Sequence, residues 1–292
     1  DDVITAINQG TADVTASKGA NNQLILSNTT GLSIAITGES HLVGLTAATY
    51  EGLYTLENVD GSAVKIELGN LANGYVQEAD ATAVHMNLFG LNEVSEGKSK
   101  GFAVSTTTLA LTDDIKINGV QLGATSVATA QAKAAAINAI SDQTGVTAQA
   151  TTIMDLELDF NITATNATFK LNGKLVELND LDSVSDVVSE INSPPATIGG
   201  YGVVASATDA GLLRLTNSDG GDITYTPVTV AGFVTAVTDG DNIATTAATS
   251  PNLLRISGNI TLTSEDGGVI QLTDGTVANT GLAKLGLEGQ SE

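Results

Sequence analysis

The sequence predicts an α+β fold that is predominantly β, with repeated hairpin-helix-hairpin modules in an elongated multi-domain arrangement. Three observations lead to this prediction. Alternating strand patterns end twice in an Asn-Gly pair, an Ile-Asn pair follows each of them at the same distance, and a strand-turn-strand pattern occurs three times. Such internal repetition indicates that one supersecondary unit is used more than once.

The two Asn-Gly pairs mark tight turns at strand ends. Residues 115–120 (IKINGV) and 169–174 (FKLNGK) alternate apolar and polar positions up to the turn. Asn and Gly both tolerate the positive φ that a two-residue hairpin turn requires. We therefore expect a β-hairpin at each pair. The motif residues of these turns are Ile117, Asn118, Gly119, Asn172 and Gly173.

A helix is expected to end at each Ile-Asn pair. Asn138 follows Asn118 by twenty positions, and Asn192 follows Asn172 by the same twenty. Equal spacing favours a shared structural unit over coincidence. The helical motif residues are Ile137, Asn138, Ile191 and Asn192.

The second of these helices has clear start and stop signals. Ser183 can cap its N-terminus with Asp186 in the first turn, and Pro194 and Pro195 then stop it. The two helices carry apolar stripes at helical spacing. The stripe residues are Val184, Val187, Val188 and Ile191 in the second helix, and Val127, Ala130, Ala134 and Ile137 in the first.

The first 37 residues are interpreted as the tail of a further copy. Asp2 can cap a short helix in which Val3, Ala6 and Ile7 share one face, and which ends at Asn8. The strand and turn that belong before this helix are expected to precede the sequence. The chain is therefore expected to be a piece of a longer polypeptide.

Three segments show two alternating strands separated by a polar turn that contains Gly. They are residues 24–36, 213–225 and 260–272. Each places apolar side chains on one face and polar side chains on the other. We expect each segment to form a β-hairpin that completes its module.

The order of these segments predicts a nested domain organisation. The copy at 115 lacks a strand-turn-strand segment directly after its helix, and the segment at 260 lacks a helix directly before it. Insertion of one copy into the other explains both gaps. The predicted domains are 1–37, the tail of a first module; 38–112, a β-rich domain; 113–162 plus 240–292, a discontinuous second module; and 163–239, an inserted third module.

The charge of the sequence is strongly unbalanced, with 33 acidic residues, 11 basic residues and a net charge of −22. Such a surface repels nucleic-acid phosphates and anionic lipids, so no nucleic acid and no membrane are expected as partners. Cysteine is absent, which excludes disulfides and thiolate ligands. The sequence shows neither an apolar run long enough to span a bilayer nor a signal-peptide pattern.

The repeated motif resembles the "IN" motif of bacterial flagellins and related flagellar axial proteins. The resemblance is carried by residues 117–123 (INGVQLG), 135–138 (AAIN) and 144–148 (TGVTA), and the copies together cover most of the chain apart from 38–112. Residues 279–287 (NTGLAKLGL) also look like the return of a flagellin outer domain toward its core. The family's polymerising core of long terminal helices has no counterpart in the sequence.

The resemblance implies a structural component of the bacterial flagellar filament, namely the surface-exposed outer domains of flagellin, which support motility. It also implies export by the flagellar secretion system and an extracellular location on the flagellum. The partners would be other flagellin subunits, joined through the core absent here, and the isolated fragment would be monomeric.

Two other functions remain open at this point. Flagellar cap and hook-associated proteins share the motif, and a glycan-binding or adhesin surface module could use the same scaffold. Such a binding surface would need clustered aromatic residues. The candidates are Tyr50, Tyr54, Tyr75 and Phe89.

The sequence carries no pattern typical of catalysis or of cofactor binding. His41 and His85 lack the HExxH spacing, and no nucleophile elbow, P-loop or dinucleotide-binding stretch is present. We therefore expect no enzymatic activity, no cofactor and no metal. Acidic turns at 219–222, 239–242 and 265–267 offer oxygen ligands for Ca²⁺, although turns select Asp, Asn and Gly for their own geometry.

Overall fold

The fold is mixed α+β and mostly β, with several antiparallel sheets, which confirms the predicted class at this level. A computed structural model describes most of the chain. The described residues are 2–10, 13–19, 24–37, 48–50, 56, 58–60, 62, 64–69, 83–95, 97–161, 166–179, 183–198, 200–228, 233–240, 244–245, 253–275 and 280–289.

The chain divides into two compact units, Asp1–Ser62 and Ala63–Glu292. In the described part of the first unit, β1 pairs antiparallel with β2, and β3 pairs antiparallel with β4. Its elements are α1 (Asp2–Gly10), β1 (Thr15–Lys18), β2 (Leu24–Ser27), β3 (Ile34–Ile36) and β4 (Ala48–Tyr50).

The second unit contains the remaining elements. Its helices are α2 (Ala83–Leu88), α3 (Ala130–Asn138), α4 (Ser141–Thr144), α5 (Val184–Asn192) and α6 (Thr280–Lys284). Its strands are β5 (Glu93–Ser95), β6 (Lys98–Ala103), β7 (Lys116–Ile117), β8 (Val120–Gln121), β9 (Val146–Leu158), β10 (Asn166–Leu171), β11 (Lys174–Asn179), β12 (Val204–Ala207), β13 (Leu213–Asn217), β14 (Ile223–Pro227), β15 (Val234–Asp239), β16 (Ala244–Thr245), β17 (Leu254–Ile256), β18 (Asn259–Ser264) and β19 (Leu272–Thr273).

The long strand β9 organises the largest sheet of this unit. Its first half pairs with β18, and its second half pairs with β13 and with β15. Among the described residues, the strand order is β12-β13-β9-β18-β6-β5, with β16 joined through β15. Two smaller sheets have the orders β11-β10-β14-β17 and β19-β7-β8.

Two hydrophobic cores lie along β9. Core A takes its residues from 104–150 and 260–287, and includes Val146 and Ala150 of β9. Core B takes its residues from 154–256, and includes Met154 and Leu156 of the same strand. Because the two cores share a strand within one compact unit, the domain boundaries given above stay a prediction.

The helices form where the sequence signals place them, with two differences at their starts and one at an end, because α1 continues to Gly10, two residues beyond the predicted end at Asn8. Ser183 caps α5 by accepting the N–H of Asp186, as predicted. In the other complete copy, Thr129 is the cap and α3 begins only at Ala130. The prediction that Val127 belongs to the buried stripe is therefore wrong, because this residue precedes the cap and is 52% exposed. Asp2 lies in the first turn of α1 and does not precede it.

The expectation that the strand-turn-strand segments form hairpins is also wrong. β13 and β14 lie in different sheets, and so do β18 and β19. The polar turn between β13 and β14 is a corner, at which the chain leaves one sheet for another. Gly220 lies at this corner with a φ of +73°, and its backbone packs so closely on β9 that a Cβ would lie 2.2 Å from the Cβ of Ala150.

Much of the predicted β-rich domain 38–112 lies outside the described part of the chain. In the described part of this range, Ile66 forms a bridge with Val94, and a small core joins Met86 to Phe102. In the ranges given above, no helix is both long and apolar enough to cross a membrane.

Candidate functional site

The nine motif residues fall into two sets, one at each core. The first set lies where β7, β8 and α3 meet the start of β9, and the second where β10, β11 and α5 meet the start of β12. The first set is Ile117, Asn118, Gly119, Ile137 and Asn138, and the second is Asn172, Gly173, Ile191 and Asn192.

Both Asn-Gly pairs form two-residue hairpin turns. Asn118 and Gly119 have φ values of 48° and 80°, and Asn172 and Gly173 have φ values of 49° and 78°. Two consecutive positive φ angles match the right-handed twist of the flanking strands. The turns close the β7–β8 and β10–β11 hairpins, as predicted.

The side chain of Asn118 fastens its hairpin to two other segments. Its Oδ1 accepts the backbone N–H of Gln271 at 2.8 Å, and the backbone N–H of Asn118 donates to the carbonyl of Gln271 at 3.0 Å. Its Nδ2 donates to the carbonyl of Thr144 at 2.8 Å. The turn is thereby joined to the segment before β19 and to the entry of β9.

Asn172 makes the same three contacts in the other set. Its Oδ1 accepts the backbone N–H of Thr224 at 2.8 Å, and the backbone N–H of Asn172 donates to the carbonyl of Thr224 at 2.9 Å. Its Nδ2 donates to the carbonyl of Tyr201 at 2.9 Å. The Asn of each turn therefore bonds a residue in, or directly before, the strand that follows the corner, and a carbonyl in the segment between the helix and the next strand.

The isoleucine and the asparagine of each Ile-Asn pair have different roles. Ile137 is 0% exposed in core A, and Ile191 is 2% exposed in core B. Asn138 instead bonds both backbone groups of Ala148: its Oδ1 accepts the N–H at 2.7 Å, and its Nδ2 donates to the carbonyl at 2.9 Å. Each pair anchors the end of its helix in the core and on the next strand.

Asn192 and Asn8 bond an alanine in the same way. Asn192 bonds the N–H and the carbonyl of Ala205, both at 2.8 Å. Asn8 bonds the N–H of Ala16 at 2.6 Å and its carbonyl at 3.0 Å. In all three copies the alanine stands opposite a leucine of the adjacent strand. The opposed pairs are Ala16 and Leu26, Ala148 and Leu262, and Ala205 and Leu215.

Lys133 is a buried residue that the sequence analysis missed. It is 0% exposed, and its Nζ donates to the carbonyls of Ser105 and Lys284, both at 2.7 Å. Burial lowers the pKa of Lys133 from 10.5 to about 8, against the opposing effect of the Asp222 carboxylate. Its position between Ala130 and Ala134 on the stripe of α3 was the available signal, since a stripe position predicts burial whatever its residue type.

Two further charged pairs support the cores. Asp155, in β9, accepts two hydrogen bonds from Arg214 of β13, at 2.8 and 2.6 Å. Asp113 accepts a bond of 2.6 Å from Lys284. Burial acts to raise the pKa of Asp113, but the Lys284 amine and the N–H of Ala110 outweigh it, so this pKa is lowered.

Carboxylates of two acidic turns are engaged in contacts within the protein. Asp222 forms an ion pair with Arg255. Asp266 accepts the hydroxyl of Ser264 at 2.6 Å and the N–H of Gly268 at 2.8 Å, and these bonds lower its pKa. Across the described ranges, no group of three or more His, Asp or Glu residues is arranged to hold a metal ion. Asp241 and Asn242, in the third turn, lie outside those ranges.

The histidines and the aromatic candidates are only partly described. His85 is an exposed residue of α2, and His41 lies outside the described residues. Phe89 is 61% exposed. The other members of the predicted aromatic cluster, namely Tyr54, Tyr75 and the side chain of Tyr50, lie outside the described part of the chain.

No family model matches the chain. The search of curated proteins found no significant match.

Proposed function

We propose that this chain forms the surface-exposed outer domains of a bacterial flagellin, a structural component of the flagellar filament that supports motility. The observation that carries the proposal is the shared contact set of the motif residues. Asn118 and Asn172 bond equivalent segments, and Asn138 and Asn192 bond equivalent alanines. The motif is thus used as a structural joint, which is the role expected of it in the flagellar axial proteins it resembles.

The proposal includes repeated modules in an elongated arrangement. Each complete copy joins an Asn-Gly hairpin, a helix, a strand of the large sheet, a corner and a strand of a smaller sheet. The copies succeed one another along β9, which enters core A at Val146 and core B at Met154. Modules that share a strand extend a domain away from its base without a flexible linker, as a projecting domain requires.

The charge of the chain supports display at high density. A net charge of −22 makes neighbouring copies repel one another, which keeps crowded outer domains soluble and separate. In the proposed filament, subunits associate through a polymerising core that lies outside this sequence. The isolated chain is then monomeric, extracellular in its native setting and exported by the flagellar secretion system.

The proposal assigns no enzymatic activity and no cofactor. The polar side chains of the motif bond backbone N–H and carbonyl groups, with their donors and acceptors directed into the fold. These contacts hold neighbouring strands and turns together, which supports a structural role for the motif residues.

The test is the location of this chain on the source bacterium. Antibodies raised against residues 1–292 would be applied to whole cells and followed by immunogold electron microscopy. Gold along the full filament is expected. In an in-frame deletion of 1–292, we expect thinner filaments without label, and this strain is the matched control.

Three other outcomes would overturn the proposal. Label confined to filament tips or to the hook junction indicates a cap or hook-associated protein. Unlabelled filaments and a labelled cell body exclude the filament altogether. Full-length filaments in the deletion strain that lose only adhesion to glycan-coated surfaces indicate an adhesin module.

A further inference from the structure

The helix-end asparagines Asn8, Asn138 and Asn192 each bond an alanine of the strand that follows the helix. We propose that the Asn192 carboxamide blocks the outer edge of the large sheet, and that its removal allows β12 to pair with β12 of a second copy of this chain. The edge cap consists of this carboxamide on the N–H and carbonyl of Ala205. The inference concerns association between copies and does not depend on the flagellar assignment.

β12 is the last strand of the large sheet in the described part of the chain, where it pairs with β13. Three of its four residues, Val204, Ser206 and Ala207, are exposed. Asn192 is exposed as well. This edge of the sheet therefore lies at the protein surface, where another chain can approach it.

The hydrogen bonds of Ala205 show which backbone groups face outward. In an antiparallel pair, the N–H and carbonyl of one residue point to the same side, and successive residues alternate between the two sides. Both groups of Ala205 bond Asn192, so they point away from β13. By the same alternation, the next outward groups along β12 are those of Ala207.

The carboxamide of Asn192 occupies the position that a neighbouring strand would take. It offers a donor and an acceptor, as a peptide group does. Its Nδ2 donates to the carbonyl of Ala205, and its Oδ1 accepts the N–H, both at 2.8 Å. The edge cap leaves Ala207 as the other outward residue of β12, and a single residue is too short a ladder for pairing between chains.

The same arrangement recurs in the other copies. Asn138 bonds both backbone groups of Ala148, which pairs with β18 on its other side. Asn8 bonds both groups of Ala16, which pairs with β2. Asn8 and Asn138 are exposed, as Asn192 is. In all three copies, an exposed asparagine therefore covers backbone groups that point away from the paired strand.

The composition of β12 suits pairing with a second copy. Natural edge strands are commonly blocked by charged side chains, by Pro or by a bulge. β12 has the sequence Val-Ala-Ser-Ala, without charge or Pro, and its register with β13 is continuous. A two-fold axis brings Ala205 of one copy opposite Ala205 of the other, with small uncharged neighbours. A second copy therefore fits this edge once the edge cap is removed.

The test removes the edge cap and measures association. Asn192→Ala is compared with the wild type by sedimentation velocity and light scattering over a series of concentrations. We expect a monomeric wild type and a variant whose mass doubles as its concentration rises. In the variant, amide exchange at Ala205 should be fast in dilute solution and roughly tenfold slower in the dimer, because its N–H regains a hydrogen bond.

Two control variants separate edge pairing from loss of stability. Asn172→Ala also loses side-chain hydrogen bonds to backbone groups at core B, but Thr224, which Asn172 bonds, lies in a strand paired on both sides. This variant should remain monomeric. Val204 is 65% exposed on the edge strand, so Val204→Glu combined with Asn192→Ala adds a charge there and should restore the monomer.

Three results would overturn the inference. The first is an Asn192→Ala variant that stays monomeric, with exchange at Ala205 independent of concentration. The second is equal dimerisation of Asn172→Ala, since lost stability would then cause the association. The third is a dimer that persists with Val204→Glu, because its contact would lie elsewhere. If Asn192→Ala does not fold, Asn192→Ser gives the same test, since a serine hydroxyl is too short to bond both groups of Ala205.

Discussion

Replacing Asn172 tests whether the turn asparagine works through its side chain or only through its backbone conformation. Asn172→Gly keeps the positive φ without strain and removes the side chain that bonds Thr224 and Tyr201. Asn172→Ala removes the same polar group but keeps a Cβ in the left-handed region, which alanine tolerates less well than asparagine. The pair of variants therefore separates the two contributions.

The expected losses follow from the contacts. Asn172→Gly breaks two short side-chain hydrogen bonds, at 2.8 and 2.9 Å, and a long one of 3.4 Å from the hydroxyl of Thr224, worth together about 2 kcal/mol of unfolding free energy. Asn172→Ala should cost about 1 kcal/mol more, because alanine is strained at a φ of 49°. The predicted order of stability is wild type, then the Gly variant, then the Ala variant.

Tyrosine fluorescence during urea unfolding provides the measurement. The sequence has no tryptophan. In the described residues, Tyr201 and Tyr225 are the tyrosines of core B, each 3% exposed. A background in which the other three tyrosines are changed to Phe therefore reports on this core. Those three are Tyr50, Tyr54 and Tyr75.

The reasoning is refuted if Asn172→Gly lies within about 0.5 kcal/mol of wild type, since the side-chain bonds would then contribute little. It is also refuted if the Ala variant is as stable as the Gly variant. Asn118 offers an independent repetition in core A, where the φ is 48° and the contacts are the same. The Gly and Ala variants of Asn118 should follow the same order.

Three further predictions concern a helix-end asparagine, a buried lysine and a closely packed glycine. Asn192→Ala should speed amide exchange at the start of β12 at least about tenfold, because two hydrogen bonds are lost; unchanged exchange would contradict the anchoring role. The free energy of unfolding should rise from pH 8 to pH 10, because the pKa of Lys133 is about 8 in the folded chain and 10.5 ordinarily. The unfolded chain therefore binds more protons than the folded chain in this range. In urea titrations, Lys133→Met should abolish the rise. Gly220→Ala should cost more than about 3 kcal/mol by thermal unfolding, because its Cβ would meet Ala150, whereas Gly211→Ala, at a similar φ but in open space, should cost about 1 kcal/mol; equal costs would disprove the clash.

Local signals in the sequence predicted the turns and helix ends well. Asn-Gly at 118–119 and 172–173 sets two consecutive positive φ angles, a property of those two residues themselves. The Ser183 cap and the stop at Pro194 likewise act within one turn of the helix. Such features depend on neighbours in the chain and can be read without the tertiary structure.

Strand pairing could not be predicted from the same patterns. Alternation at 213–225 indicates two strands with one apolar face each, but the same alternation suits a hairpin and a corner between two sheets. In the structure the two strands lie in different sheets, and Gly220 between them packs against Ala150 from a distant part of the chain. Lys133 was missed for a related reason: the carbonyls that accept its hydrogen bonds, at Ser105 and Lys284, come from segments far from it in sequence.

The candidate site also has features that the sequence predicts and features that depend on the tertiary structure. The twenty-residue spacing identified the nine motif residues, because an internal repeat can be recognised from its constant spacing in the sequence. What each Asn holds was decided by the fold: Asn118 bonds Gln271 across more than 150 residues, and Asn172 bonds Thr224. The sequence by itself therefore determined the fold class, the turns, the helix ends and the motif residues, since these follow from backbone preference and periodicity. Only the tertiary structure decided which strands pair, where the chain changes sheets and which backbone groups the asparagines bond, because long-range packing selects among pairings that are locally equivalent.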